Sequence, residues 1–211
     1  DNMAFHTRSW LAFFERQGRT LDADAFFRDT AGRHGREIIA QYLGEDADHA
    51  TLLAEKEVVY REMYGPHLAT VAGFDALTAS ARDNQVALVV GSAAPTENID
   101  FTLDGLDLRR RFDAIVGASD VERGKPHPDV FLKGARLAGA LPEHCIVFED
   151  APLGVEAARR AGMRAVVLTT TLPAAAFAAF DNVIAIVPDF SALDVDALFA
   201  SVAPALAPHH Q

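Results

Sequence analysis

The chain has 211 residues but only one cysteine, Cys145, so an internal disulfide is excluded. A lone thiol suits a reducing compartment, and we expect a cytoplasmic protein in which Cys145 is a small buried packing residue. Long hydrophobic runs are also lacking, because the alanine-rich stretch 174–180 is far shorter than the roughly 18 apolar residues of a membrane span. No signal-peptide pattern opens the chain. We therefore expect a soluble protein.

Basic residues are few, since 19 lysines and arginines stand against 30 aspartates and glutamates, for a formal net charge of −11. Nucleic-acid surfaces need clustered lysine and arginine, so a nucleic-acid-binding role is excluded. An anionic substrate would instead have to be held by a local pocket of donors. The run Leu-Arg-Arg-Arg at 108–111 is typical of a solvated helix end.

The chain also lacks methionine at position 1, where Asp1 stands. We expect the natural protein to carry further residues upstream. At the other end, His209 and His210 are assigned no metal-binding role, because side chains at a chain end are usually solvated. The sequence does not determine the oligomeric state, and a monomer is favoured.

Half of the residues are apolar, enough for one large core or one core with a small appended domain. Up to about Tyr64 the apolar residues recur at helical spacing, as in 4–16 and 52–63, which predicts a small helical bundle. The punctuation Tyr-Gly-Pro at 64–66 then predicts a boundary between a helical domain over 2–65 and a second domain over 66–211.

In the second domain, short apolar runs alternate with helical stretches, which is typical of a parallel sheet covered by helices. The predicted strands are 86–90, 114–116, 145–148, 165–168 and 183–187, and the predicted helices are 76–82, 95–103, 128–137 and 152–161. The fold class is therefore α/β, with a three-layer Rossmann-like core. Ligands of such sheets bind beyond the carboxyl ends of the strands.

Two predicted strands end in residues suited to phosphate and metal. The first is followed by Gly91-Ser92-Ala93, where a hydroxyl and backbone N–H groups would meet phosphate at a helix start, unless Ser92 only caps that helix. The third is followed by Glu149-Asp150, two carboxylates that repel unless a cation joins them. A hard ion such as Mg²⁺ takes ligands of this kind. The alternative is that Asp150 only N-caps the next helix, with Glu149 exposed.

Lys125 lies between these sites in the stretch Gly124-Lys125-Pro126-His127-Pro128. The two prolines restrict the backbone and block a helix, so the lysine is presented from a stiff extended loop. One ammonium there would neutralise a transferring phosphoryl group or keep a carboxylate ionised. The alternative is an ordinary surface lysine.

In this order, Ser92, the Gly-Lys-Pro-His-Pro-Asp stretch around Lys125, and the Phe-Glu-Asp-Ala-Pro-Leu-Gly stretch around Asp150 resemble the second, third and fourth motifs of the haloacid dehalogenase superfamily. The resemblance is closest to its β-phosphoglucomutase-like members with a small helical cap. It implies that Ser92 and the Ala93 amide hold phosphate oxygens, that Lys125 offsets negative charge, and that Asp150 and Glu149 hold Mg²⁺.

The resemblance also implies two substrate-binding residues in the predicted cap. The opening residues up to His6, followed by Trp10, look like the stretch that follows the family's first motif. This would place His6 at the active-site entrance. For Trp10, the alternative is packing in the helical core. The stretch 32–36 lies where β-phosphoglucomutases place a phosphate-binding arginine, but Gly35 occupies the expected position and Arg33 and Arg36 flank it; Arg33 is the candidate substrate-binding residue.

The family's first motif, Asp-x-Asp-Gly, is absent from the 211 residues. In the family its first aspartate attacks the phosphoryl group and its second is the general acid and base. We therefore expect this motif, and the central strand that carries it, upstream of Asp1. A chain that truly began at Asp1 would be inactive and would lack its central strand.

The favoured hypothesis is a Mg²⁺-dependent phosphatase that hydrolyses a small sugar or polyol phosphate through an aspartyl-phosphate. A sugar-phosphate mutase is the second hypothesis, weakened by the position of Gly35 and by Ala94 and Pro95, which replace the polar residues a mutase tends to show there. A catalytically inactive binding module would follow if the first motif were truly absent. A receiver-like signalling domain is disfavoured, because receivers have no helical insertion of this size.

Overall fold

Two compact units make up the chain in the computed structural model, the first ending at Leu68 and the second beginning at Ala69. The structure describes residues 3–30, 33 and 35–200. The predictions made for Asp1, Asn2 and the tail after Ala200 lie outside the described residues, as do Gly32 and His34 beside Arg33. Within the described part of the chain, no helix is both long and apolar enough to cross a bilayer.

Helices form the first unit, and aromatic side chains fill its core. Trp10, Phe13 and Phe14 lie at positions i, i+3 and i+4, so one face of the first helix is buried. The Trp10 and Phe14 rings stack with centroids 5.7 Å apart. The helices are α1 (Met3–Arg16), α2 (Ala23–Thr30), α3 (Gly35–Leu43) and α4 (His49–Tyr64). The helical pattern predicted for this region is confirmed.

The second unit alternates strands and helices. Its strands are β1 (Val89–Gly91), β2 (Ala114–Val116), β3 (Ile146–Glu149), β4 (Arg164–Leu168) and β5 (Val183–Val187). Its helices are α5 (Phe74–Asp83), α6 (Thr96–Gly105), α7 (Asp129–Leu137), α8 (Pro152–Arg160) and α9 (Val195–Ala200). All strand pairs are parallel, so the predicted α/β class is confirmed.

The strands have two apolar faces, because successive side chains point to opposite sides of a sheet. Val147 and Val167 pack with α7 and α8, whereas Phe148 and Leu168 pack in a second cluster with α5 and α9. Helices therefore cover both faces. Cys145 packs at the edge of the first cluster but remains partly exposed, and its thiol donates to the Leu141 carbonyl 3.3 Å away. The predicted packing role agrees with the structure, but the burial of Cys145 is partial.

The strands form two sheets rather than one, ordered β1-β2 and β3-β4-β5. Among the described residues no strand pairs with both β1 and β3. The first strand also begins later than the sequence predicts, at Val89 rather than Val86. The reason is that the Val86 N–H donates to the Ala81 carbonyl of α5, 2.8 Å away, so this residue ends the helix instead of extending the strand.

Candidate active site

The Lys125 side chain connects the carboxyl ends of the two sheets. Its Nζ lies 2.5 Å from Oε1 of Glu149, the last residue of β3. The same nitrogen donates to the carbonyl of Gly91, the last residue of β1, at 3.2 Å. The Phe131 ring lies beneath it, with its centroid 4.8 Å from Nζ. The structure therefore brings together Lys125, Glu149 and the residue before Ser92, which are distant in sequence.

The Glu149 carboxylate is nearly buried and is held on every side. Its side chain is 9% exposed and that of Lys125 15%. Oε2 accepts the Asp150 N–H at 3.2 Å. The group lies against Gly154 in the first turn of α8, so closely that a Cβ at Gly154 would fall 2.0 Å from its Cδ. A carboxylate at this end of a helix is also favoured by the helix dipole.

The Lys125 loop is braced from outside. Arg123 donates from Nε and Nη2 to the two carboxylate oxygens of Asp129, at 3.1 and 2.9 Å. This bidentate contact lowers the pKa of the Asp129 carboxyl. The Lys125–Pro126 peptide is cis, and the His127 N–H donates to the Gly124 carbonyl at 3.0 Å. The Arg123–Asp129 ion pair and the His127–Gly124 hydrogen bond therefore hold the turn that carries Lys125.

Ser92 closes the turn that follows β1. Its N–H donates to the Val116 carbonyl at the end of β2, 2.9 Å away, and its Oγ accepts the Ala94 N–H at 3.1 Å. Helix α6 begins at Thr96 with Pro95 as its N-cap, so Ser92 is not the capping residue that the sequence left as an alternative. Ala93 is exposed.

Asp150 is held by a residue that sequence reasoning missed. The Thr171 hydroxyl donates to Oδ2 of Asp150 at 2.5 Å. The N-cap of α8 is Ala151 and makes no side-chain cap hydrogen bond, so Asp150 does not have the capping role considered for it. A signal for Thr171 existed, because Thr169-Thr170-Thr171 follows the apolar run of β4 at the edge where ligands bind.

The two adjacent carboxylates differ in how many donors they already meet. Both Glu149 oxygens are engaged, one with Lys125 and the other with the Asp150 amide. The described residues contain no group of three or more histidine, cysteine, aspartate or glutamate side chains that could hold a metal. Mg²⁺ is compatible with such a site, since it binds through one or two carboxylates and fills its octahedron with water and phosphate oxygens. The donor set therefore fits Mg²⁺ through Asp150.

A second polar cluster lies within the helical unit. The His6 ring stacks on Tyr60 with centroids 4.0 Å apart, and His6 Nδ1 lies 3.0 Å from Nζ of Lys56. Burial, and then the Lys56 charge, lowers the pKa of His6 to about 4. Lys56 is itself 2% exposed, pairs with Glu57 at 2.8 Å and lies over the Trp10 ring. Burial lowers the pKa of its ammonium.

Lys56 is not among the residues predicted from the sequence. Its burial could have been recognised, because Lys56 lies three residues before Val59 and four before Tyr60, on the buried face of α4. Arg33, predicted to bind substrate, already has two partners: Nη1 donates to Gln41, and Nε lies 3.6 Å from Glu37. Trp10 packs in the helical core, as the alternative reading of the aromatic residue had it.

Comparison with known proteins identifies similar chains over most of this length. The model of the haloacid dehalogenase-like hydrolase family matches residues 5–168. Validoxylamine A 7'-phosphate phosphatase of Streptomyces hygroscopicus subsp. limoneus is 34% identical over 175 residues, which are 82% of this chain and 82% of that protein. Fructose-1-phosphate phosphatase of Escherichia coli is 32% identical over 168 residues, covering 79% of this chain and 88% of that one.

The fold is likewise similar to that of solved structures. The crystal structure of a HAD hydrolase, family IA, variant 3, from Entamoeba histolytica superposes with a TM-score of 0.82. It covers 95% of this chain and 93% of that one at 22% sequence identity. At that identity the likeness concerns the fold alone.

Proposed function

The chain belongs to the haloacid dehalogenase-like hydrolase family, and from this premise we propose that it is a Mg²⁺-dependent phosphatase acting on a small phosphorylated sugar or polyol. The observation that carries the proposal is the contact of Lys125 with Gly91 at the end of β1 and Glu149 at the end of β3. A nearly buried ammonium at this edge of the sheets is what a transferring phosphoryl group requires.

Each residue of the cluster has a role in the proposal. The Ser92 hydroxyl and the Ala93 amide hold phosphate oxygens, and Lys125 offsets the negative charge of the phosphoryl group as it moves. Glu149 fixes the position of the Lys125 ammonium, and Thr171 orients the Asp150 carboxylate. Asp150 would hold Mg²⁺, which when bound supplies a Lewis acid that shields the phosphate charge.

The nucleophile in the proposal is the first aspartate of the Asp-x-Asp-Gly motif that the family resemblance places upstream. Its carboxylate would attack phosphorus, the sugar oxygen would leave with a proton from the second aspartate, and water would then hydrolyse the aspartyl-phosphate. The helical unit has the role of the cap in this proposal, with His6 and Arg33 as its substrate-binding residues.

Hydrolysis is favoured over phosphoryl transfer between sugar positions. Both curated relatives named above are phosphatases by name, one for validoxylamine A 7'-phosphate and the other for fructose 1-phosphate. Arg33, the residue nearest to the position of the mutase arginine, contacts Gln41 and Glu37 of its own helical unit. A mutase would convert a sugar 1-phosphate into its isomer, whereas a phosphatase releases inorganic phosphate.

The test uses the full-length natural protein with its upstream residues and p-nitrophenyl phosphate. We expect turnover with Mg²⁺ and none in excess chelator, and Asp150→Asn should remove most of the activity. Asp181→Asn, an exposed carboxylate just before β5, is the matched control and should be as active as the wild type. Undiminished turnover in chelator would reject the metal role, and an inactive full-length protein would favour a binding module. A panel of sugar and polyol phosphates then identifies the substrate.

A further inference from the structure

A cavity of about 720 Å³ opens in the second unit, away from the candidate active site. Residues 85–88 of its wall precede β1, and Arg110, Arg111 and Asp113 precede β2, so the cavity lies at the amino ends of these strands. Ser92, in contrast, follows the carboxyl end of β1. Volumes of a few hundred Å³ are typical of small-molecule sites. The lining residues used below are Thr78, Arg82, Gln85, Arg110, Arg111 and Asp113, together with Asp75.

The acids and arginines of this cavity are not matched one to one. Asp75 is engaged by Arg111, whose guanidinium also donates to the Thr78 hydroxyl at 3.1 Å. Asp113 accepts the Leu88 N–H at 2.8 Å through Oδ2. Asp75 therefore shares its charge with Arg111, whereas Asp113 has only a neutral backbone donor in this contact, and Arg82 and Arg110 remain to be accounted for.

These two guanidinium groups are available to a ligand. Arg82 has no ion-pair partner among the described residues. Arg110 pairs with Asp107, but the side chains are 78% and 77% exposed, and ion pairs in water are weak. The cavity lining thus carries three arginines and two aspartates, an excess of one positive side chain, in a chain whose net charge is −11.

The backbone conformation after α5 and α6, next to the cavity, differs from that after other helices. Helices α1, α7 and α8 are each followed by a glycine in the left-handed region, Gly18, Gly139 and Gly162, where a side chain is disfavoured. After α5 and α6 the same position holds Gln85 and Asp107, at φ of 56° and 53°. These are the two non-glycine residues with positive φ in the described part of the chain.

Both exceptions belong to this cavity. Gln85 lines it, and Asp107 holds Arg110, which lines it. The helix ends are otherwise alike, because the Val86 N–H reaches the Ala81 carbonyl after α5 just as the Met163 N–H reaches the Ala158 carbonyl after α8. Aspartate adopts this conformation readily, so Gln85 is the side chain whose left-handed position points to a function.

We propose that this cavity is a second anion-binding site, in which Arg82 and Arg110 grip the phosphoryl or carboxylate oxygens of a small polyanion and the Gln85 amide donates a further hydrogen bond. Guanidinium groups match such oxygens because their N–H donors form a planar fork. The site is separate from the chemistry proposed at Lys125 and does not depend on it.

The test is a titration of the full-length natural protein, labelled with ¹⁵N, with pyrophosphate and separately with citrate, both without divalent cation. We expect saturable shifts of the Arg82 Nε–H and Gln85 side-chain amide signals. Arg82→Met should weaken binding at least tenfold, whereas Arg136→Met, an exposed arginine of α7, should leave it unchanged. Saturation by pyrophosphate alone would assign a phosphorylated ligand, and saturation by citrate alone a polycarboxylate.

Gln85→Gly separates a binding role from a structural one. Relief of the left-handed strain should keep the unfolding temperature equal or raise it, while the affinity for the polyanion falls. The proposal is overturned if neither probe saturates, if shifts are confined to Ser92 and the Lys125 loop, or if Gln85→Gly binds as tightly as the wild type.

Discussion

Gly154 is the residue that makes room for the Glu149 carboxylate, and a methyl group there should break the Lys125–Glu149 pair. In Gly154→Ala the new Cβ would lie 2.0 Å from Cδ of Glu149 and 2.2 and 2.3 Å from its two oxygens. The atoms in the way belong to a side chain end, so the carboxylate moves rather than the helix. It then leaves the position from which it contacts Lys125.

Two effects of opposite sign decide the size of the change. Alanine is better than glycine inside a helix by about 1 kcal/mol. Breaking a buried ion pair costs about 3–5 kcal/mol, and this pair is only 15% and 9% exposed. The net expectation is therefore a destabilisation of about 2–4 kcal/mol.

The assay is urea unfolding of the full-length protein with a double-mutant cycle. In a Glu149→Ala background the space above Gly154 is empty, so Gly154→Ala should there stabilise the fold by about 1 kcal/mol. The sign of the effect should thus reverse between backgrounds. A destabilisation of equal size with and without Glu149 would refute the reasoning, because the methyl group would then act on something other than the carboxylate.

Three other changes test the remaining contacts. Lys125→Arg keeps the charge but not the compact ammonium, so a folded variant with kcat lowered at least about tenfold is expected; an unchanged kcat would contradict the phosphoryl role. Thr171→Val should weaken Mg²⁺ binding about 10- to 100-fold, measured as metal-induced thermal stabilisation, whereas Thr171→Ser should retain it. The pKa of His6 is lowered to about 4, against 6.5 for an unperturbed histidine, so the unfolded chain takes up the proton first. The His6 contribution to the free energy of unfolding should be constant above about pH 6.5 and fall by at most about 3 kcal/mol towards pH 4. A His6→Asn variant with the same pH slope would show that His6 is not responsible.

The sequence predicted strand boundaries best where no neighbouring helix uses the backbone groups of the strand. Strands β2 and β5 begin and end at the predicted residues. The first strand was predicted too long at its start, because Val86 serves the end of α5. Apolar content alone cannot show this, since a valine that ends a helix and one that begins a strand look the same in a sequence.

The candidate site was predicted in part. Lys125, Ser92 and the Glu149-Asp150 pair could be selected because stiff loops and strand ends are local features of the sequence. Thr171 was missed although it follows β4 at the edge where ligands bind, because nothing in the sequence shows that its hydroxyl meets a carboxylate 21 positions away. The bond between Lys56 and His6, 50 positions apart, was missed for the same reason.

By itself, the sequence determined the period of the apolar residues, and with it the helical first unit, the parallel α/β second unit and the sheet edge at which Ser92, Lys125 and Glu149 lie. Only the tertiary structure decided that Glu149 faces Lys125 while Asp150 contacts Thr171, although the two acids are adjacent. Neighbouring residues leave a strand end in different directions, and the partner each one meets depends on how distant loops pack, which no local pattern encodes.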